Sequence, residues 1–147
     1  MTLHALILDD NPWNMEALRA CKSDHSEYHF VGDAQQALYV LYEFDIEHEV
    51  AVIACNVNLI SSDAFAFLQP LNQDFNLSGL PVICYSVSSD VNASALETVL
   101  EALGADELIV CNWFDAKAIC AEIDNWLTRH RFIPPPFYGL DDFASPS

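Results

Sequence analysis

The sequence predicts an α/β protein built on one doubly wound parallel sheet. Three observations carry that reading. Five short apolar runs alternate with five longer segments of helical periodicity. The runs are mostly apolar, as expected of strands covered on both faces. At 147 residues and 52% hydrophobic composition, the chain has the size and content of one well-filled core.

The elements follow in order. Strands are expected at Leu3–Leu8, Tyr28–Val31, Val50–Cys55, Leu80–Tyr85 and Leu108–Cys111. Asn11 and Pro12 supply an N-cap and a first-turn proline for a helix through Met15, Leu18 and Cys21. Gly32 and Asp33 precede Ala37, Leu38, Leu41 and Phe44 at helical spacing. Ser61, Ser62 and Asp63 open a third helix with Phe65, Phe67 and Leu68. Ser88, Ser89 and Asp90 open a fourth with Leu96, Val99, Leu100 and Leu103, which Gly104 closes. Asp115 opens the last, through Ile119, Cys120, Ile123, Trp126 and Leu127, and Arg129, His130 and Arg131 suit its negative end. Five βα units of this length predict the flavodoxin-like strand order 2-1-3-4-5. Residues 1–131 form the expected domain. Residues 132–147 form a tail in which Pro134, Pro135 and Pro136 lie among Phe132, Phe137, Tyr138 and Phe143. Four aromatic residues are many for a passive linker, so partial ordering against the domain or a partner is expected.

Charge narrows the function. Asp and Glu number 22 against 5 Lys and Arg, a net charge of −17. No Lys or Arg lies between Lys22 and Lys117. Nucleic-acid binding needs clustered cations, and so does a polybasic contact with a membrane; both are excluded. The five cysteines, Cys21, Cys55, Cys84, Cys111 and Cys120, show no C-x-x-C spacing and are expected as free thiols, mostly buried. The first residues lack a basic, apolar leader pattern, so a cytoplasmic address is expected. The histidines (His4, His25, His29, His48, His130) show no metal-ligand spacing on one helix face.

In such a sheet, ligands bind beyond the carboxyl ends of the strands. Those ends carry Asp9 and Asp10, Cys55 and Asn56, Tyr85 and Ser86, and Cys111 and Asn112. Paired carboxylates there suit a hard divalent cation, or else a solvated loop that caps a helix. Tyr85, between core and rim, reads as structural.

The pattern around the pair is more specific. Leu6-Ile7-Leu8-Asp9-Asp10-Asn11 with Asn14 and Leu18, then Gly32-Asp33-Ala34 through Leu38, then Val52 through Leu59 with Asp63 and Phe65, then Pro81 through Ser86, then Gly104 through Val110, occur in order. Together they resemble the response-regulator receiver domain from residue 3 to about 130. The resemblance implies a bacterial signalling module, not an enzyme, in which an Asp ending strand three accepts a phosphoryl group. Here that position is Asn56. The position of the family's Lys is Cys111, followed by Asn112. The reporting aromatic residue is replaced by Leu108, and a loop proline by Ile60. Asp9, Asp10 and the hydroxyl of Ser86 remain, with Asn58 able to lend a carbonyl.

This implies a pseudo-receiver with no required cofactor and only a weakened Mg²⁺ site at Asp9, Asp10 and Asn58. It would work through contacts rather than phosphorylation. The resemblance puts the partner surface at Leu108, Trp113, Phe114, Glu97, Glu101 and Glu107. The expected partners are a histidine kinase, another receiver, another signalling protein or a second copy. The alternatives are a small-ligand or metal-binding domain at the rim, or a receiver phosphorylated at Asp9 or Asp10. A redox-sensing Cys111 would need a thiolate, which acidic surroundings disfavour.

Overall fold

A computed structural model describes residues 3–43, 50–58, 64–74, 79–87, 93–111 and 113–132. The strands are β1 (Leu3–Leu8), β2 (Ser26–Val31), β3 (Val50–Asn56), β4 (Val82–Val87) and β5 (Glu107–Cys111). The helices are α1 (Pro12–Cys21), α2 (Ala34–Glu43), α3 (Ala64–Gln73), α4 (Ala93–Ala102) and α5 (Ala116–Phe132). The five strands are parallel in the order β2-β1-β3-β4-β5, as the periodicity predicts.

That order puts the core in two layers. Leu6, Leu8, Ile53 and Cys55 face α2 and α3, meeting Ala37, Leu41, Phe67 and Leu68. Ala5, Ile7, Ala54 and Tyr85 face α1 and α5, meeting Leu18, Ile119 and Ile123. Each fully buried Leu or Ile stabilises the fold by roughly 1.5–3 kcal/mol relative to exposure. The pairing of β1 with β3 slips between His4 and Ala5, where His4 pairs with Val50 but Ala5 with Val52. Ala51 is the extra residue of a bulge, and Ala51 and Val52 both pack into the α1/α5 layer.

Local chemistry sets the helix starts. The Asn11 side chain accepts from the amides of Trp13 (2.9 Å) and Asn14 (3.4 Å), and Pro12 occupies the first turn. Asp33 accepts from the Gln36 amide (2.7 Å), and Gln36 reaches back to accept from the Gly32 amide (3.0 Å). Asp115 accepts from the Ala118 amide (3.1 Å). Gly104 follows α4 at φ +92°, and the Ala105 amide donates to the Leu100 carbonyl (2.9 Å).

Some boundaries move. β2 begins two residues before its expected start. β4 starts and ends two residues later, because Pro81 lacks an amide hydrogen while Val87 still pairs with Cys111. Val99, counted in the apolar stripe of α4, is 48% exposed. Phe132, assigned to the tail, ends α5. Phe44, His48, Leu59, Ile60, the segments 61–63 and 88–90, Asn112 and the tail from 133 onward lie outside the described residues. The five cysteines are free; Cys55, Cys84 and Cys120 are buried, Cys21 and Cys111 partly so. Among the described residues no helix is long and apolar enough to cross a membrane.

Two stability predictions follow from these details. A Cβ on residue 104 would stand 2.5 Å from Asn72 Oδ1, at a φ that L side chains avoid. Gly104→Ala is expected to cost about 1–3 kcal/mol in urea unfolding.

The second concerns His4 Nδ1 and His29 Nε2, which meet at 2.8 Å across β1 and β2. One nitrogen must donate and the other accept, so this contact disfavours a doubly protonated pair. Burial first, and then His4, lower the pKa of His29 from its ordinary 6.5, with Glu27 acting weakly the other way. The unfolded chain therefore binds the proton more readily. The stability from neutral His29 is present above pH 6.5 and is lost as pH falls below it. Between pH 8 and pH 5 the wild type should lose more stability in urea than His29→Gln. Parallel pH profiles for the two proteins would refute this.

Candidate functional site

The rim at the carboxyl ends of β1, β3 and β4 is organised by one carboxylate. Asp9 follows β1 and is completely buried. Its Oδ1 accepts from the Asn11 amide (2.9 Å) and from Asn56 Nδ2 (3.1 Å). Its Oδ2 accepts from Asn14 Nδ2 (3.0 Å) and from the Tyr85 hydroxyl (2.5 Å). All four donors are neutral. They come from the β1–α1 turn, α1, β3 and β4. Burial, and then the Asp9 charge, push the Tyr85 phenol well above its usual range, so it stays protonated and keeps donating.

The network continues outward. Asn56 Oδ1 accepts from the Asn58 amide (2.8 Å). Asn58 Oδ1 accepts from the Ser86 hydroxyl (3.0 Å) and the Val87 amide (2.8 Å). The turn after β3 is thereby pinned to the end of β4, and the Val57 amide adds a bond to the Tyr85 carbonyl (3.0 Å). Behind the rim, Cys55 and Cys84 are direct neighbours on β3 and β4. The hydrogen bond with Cys84, then burial, then Asp9 raise the Cys55 thiol well above its usual range, so it is no ready thiolate.

Outside this network lies a cleft of about 290 Å³, lined by Asp10, Asn11, Asn14, Asn56, Asn58, Val87 and Phe114. Among the described residues its wall holds one carboxylate and four carboxamides but no Lys, Arg or His. Phe114 packs edge-on against Tyr85, with ring centroids 5.8 Å apart. Arg19, Arg129 and Lys22 are engaged elsewhere. Arg19 pairs with Glu16 (3.7 Å) and lies over Phe30 (4.6 Å), and Arg129 lies over Trp126 (4.4 Å). Lys22 donates to the carbonyls of Ser26 (2.9 Å) and Ser23 (3.3 Å). Beside the cleft is an apolar groove of about 460 Å³ with Val57, Phe65, Leu96 and Val99 in its walls.

The fold thus brings Asp9, Asp10, Asn56, Asn58 and Ser86 to one rim. Cys111 ends the edge strand, half-buried, with Val87 as its partner on β4. The six expected surface residues have unequal exposure. Glu97, Glu101 and Trp113 are exposed, Trp113 at 69%. Leu108 packs on the α2/α3 layer and Phe114 on the α1/α5 layer. Glu107 accepts from Trp126 Nε1 (3.0 Å). Sequence reasoning missed the role of Tyr85, because a Tyr inside an apolar run reads as core. It also missed the exposed Trp13, whose place one residue after Pro12 at the start of α1 was a usable signal.

A phytochrome response regulator of cyanobacteria, RcpA, solved in its phosphorylated form, is similar at 18% identity. The match covers 88% of this chain and 96% of that one, with a TM-score of 0.73. The receiver domain of a signal-transduction histidine kinase from Syntrophus aciditrophicus matches at 18% identity over 91% and 96% of the two chains, TM-score 0.71. The chemotaxis response regulator CheY4 of Vibrio cholerae matches at 16% identity over 86% and 99%, TM-score 0.69. No family model matches the sequence, and no curated protein matches it. At these identities the likeness establishes the receiver-domain fold.

Removing the Tyr85 hydroxyl leaves a buried carboxylate oxygen short of one donor. Tyr85→Phe is expected to cost about 1–3 kcal/mol in chemical denaturation, with the secondary structure unchanged by circular dichroism.

Proposed function

We propose that this chain is a receiver-fold signalling module that acts through protein contacts and takes no phosphoryl group at its rim. The observation that carries the reading is Asn56. It ends β3 as a neutral carboxamide and spends its donor on Asp9, at 3.1 Å. A carboxamide is a poor nucleophile and forms no acyl phosphate by the route open to a carboxylate. A phosphoryl group would add about −1.5 to −2 of charge. No cation among the described residues lines the cleft to offset it, and Cys111 stands where the receiver resemblance implies a Lys.

The donor set fits Mg²⁺ poorly. This ion favours octahedral oxygen ligands, commonly one or two carboxylates with waters and phosphates. Both oxygens of Asp9 are already engaged, twice each, by hydrogen-bond donors. That leaves Asp10 as the one carboxylate among the described lining residues, which also include Asn58. Among the described residues no group of three or more His, Cys, Asp or Glu is placed to hold a metal. In this proposal Mg²⁺ is weak there and the module does not depend on it.

Contacts then carry the function. Trp113, Val99 and Val110 are exposed along β5 and its flanks, near the acidic Glu97 and Glu101. Exposed aromatic residues are common interface anchors. A net charge of −17 favours a partner with a basic face, whether a histidine kinase, another receiver or another signalling protein.

The test is direct. The protein is incubated with Mg²⁺ and a small-molecule phosphodonor, and its intact mass is recorded. No added phosphoryl group is expected, and an adduct would sink the proposal. Asn56→Asp exchanges a donor for a second carboxylate against Asp9. It is expected to lower stability by about 1–3 kcal/mol without conferring a phosphorylation-dependent switch, because Cys111 and Leu108 are unchanged.

A further inference from the structure

We infer that the cleft beside Asp9 receives an arginine side chain supplied by a partner protein. This inference deepens the contact-module proposal and rests on it. Four observations lead there.

The first is chemical. The cleft sets the Asp10 carboxylate and the carboxamides of Asn11, Asn14, Asn56 and Asn58 around a space walled on one side by Phe114. A planar guanidinium matches such a wall. It donates to the Asp10 carboxylate and lies against an aromatic ring, while the amide oxygens of Asn11 and Asn58 already accept two bonds each. The second is electrostatic. The Asp9 carboxylate lies just behind the wall, met by four neutral donors, and no cation among the described residues lines the cleft. Charge of one sign in a recess with low-dielectric walls concentrates its field there.

The third concerns size and surroundings. At about 290 Å³ the cleft lies just under the range of roughly 300–1,000 Å³ usual for small-molecule sites. It admits one side chain. In sequence, Trp13, 84% exposed, follows Asn11 by two residues, and Trp113, 69% exposed, precedes Phe114. A free small molecule in the cleft leaves both indoles in water, whereas a partner surface covers them. That favours a residue of a protein over a free metabolite. The fourth is the behaviour of this chain's own arginines. Arg19 and Arg129 both lie over aromatic rings, at 4.6 and 4.4 Å from the centroids. The guanidinium–aromatic pairing proposed for the cleft is one this molecule already uses.

The experiment titrates the whole chain, ¹⁵N-labelled, with three probes at low ionic strength. They are N-acetyl-argininamide, its neutral isostere N-acetyl-citrullinamide, and a blocked pentapeptide with arginine between two leucines. Amide shifts are followed at Asn11, Asn14, Asn56, Asn58 and Phe114. The expected result is saturable shifts at these positions with the peptide, about tenfold tighter than argininamide, and no binding of citrullinamide. Asp10→Asn should weaken the peptide about tenfold or more, and Trp113→Ala should remove most of its advantage over argininamide. Added salt should weaken binding in the wild type and weaken it less in Asp10→Asn. Circular dichroism checks that both variants are folded.

Three results would overturn the inference. One is equal binding of citrullinamide. Another is argininamide binding as tightly as the peptide, which would mark a small-ligand site. The last is shifts produced by Mg²⁺ and by none of the organic probes. These outcomes are separate from the phosphodonor test. A chain that stays unphosphorylated but ignores arginine loses only this inference, while a phosphoryl adduct removes the parent proposal.

Discussion

The arrangement of the rim depends on a buried carboxylate met by four neutral donors. A carboxylate taken out of water costs several kcal/mol unless hydrogen bonds replace its hydration. Asp9 is fully buried, and four neutral donors do that replacing. Each comes from a different stretch of chain, so the carboxylate fixes the β1–α1 turn, α1, β3 and β4 relative to one another. The donor geometry is directional, and displacing any of these elements strips a bond from a buried charge. Packing of the two apolar layers gives the sheet its stability. The carboxylate sets where its upper edge lies.

Neutrality of the donors also gives the site its character. A lysine or arginine in the same place would cancel the charge and leave a rim of near-zero potential. Here the field of Asp9 persists and adds to that of Asp10 at the mouth of the cleft. The outer network of Asn56, Asn58, Ser86 and the Val87 amide is likewise made of uncharged dipoles. These bonds are all between groups of the protein. That is consistent with a surface that presents a fixed pattern to a partner.

Much of this was legible in the sequence because the signals are local. Asn11-Pro12 announces the start of α1, Asp33 and Gln36 the start of α2, and Gly104 the end of α4. The apolar runs give five strands, and their alternation with helices gives the order of the sheet. Asp9, Asp10, Asn56 and Ser86 stood out as strand-end residues, which converge in such a sheet, and Asn58 through the receiver resemblance. The role of Tyr85 was not legible. Its partner is 76 positions away in sequence, and nothing local distinguishes a tyrosine that fills a core from one whose hydroxyl meets a charge. Nor did helical periodicity reveal the exposure of Val99, since that depends on how far α4 leans from the sheet. The unequal exposure of Leu108, Trp113 and Phe114 depends on which layer each packs against, and no stretch of sequence encodes that by itself.

The bulge at Ala51 reaches further than its position suggests. It lies at the opposite end of the sheet from Asp9, yet it sets the phase of β3 for the rest of its length. With the extra residue, Leu8 stands beside Cys55, and Asn56 follows in line with Asp9. Without it, a strand in simple step from His4 and Val50 would bring Ala54 beside Leu8 and Cys55 level with Asp9. The side chains of β3 would also exchange faces beyond that point. A thiol would then stand where the carboxamide donates. Which residue answers the buried charge is therefore decided several residues away, by a single count at the far edge of the strand.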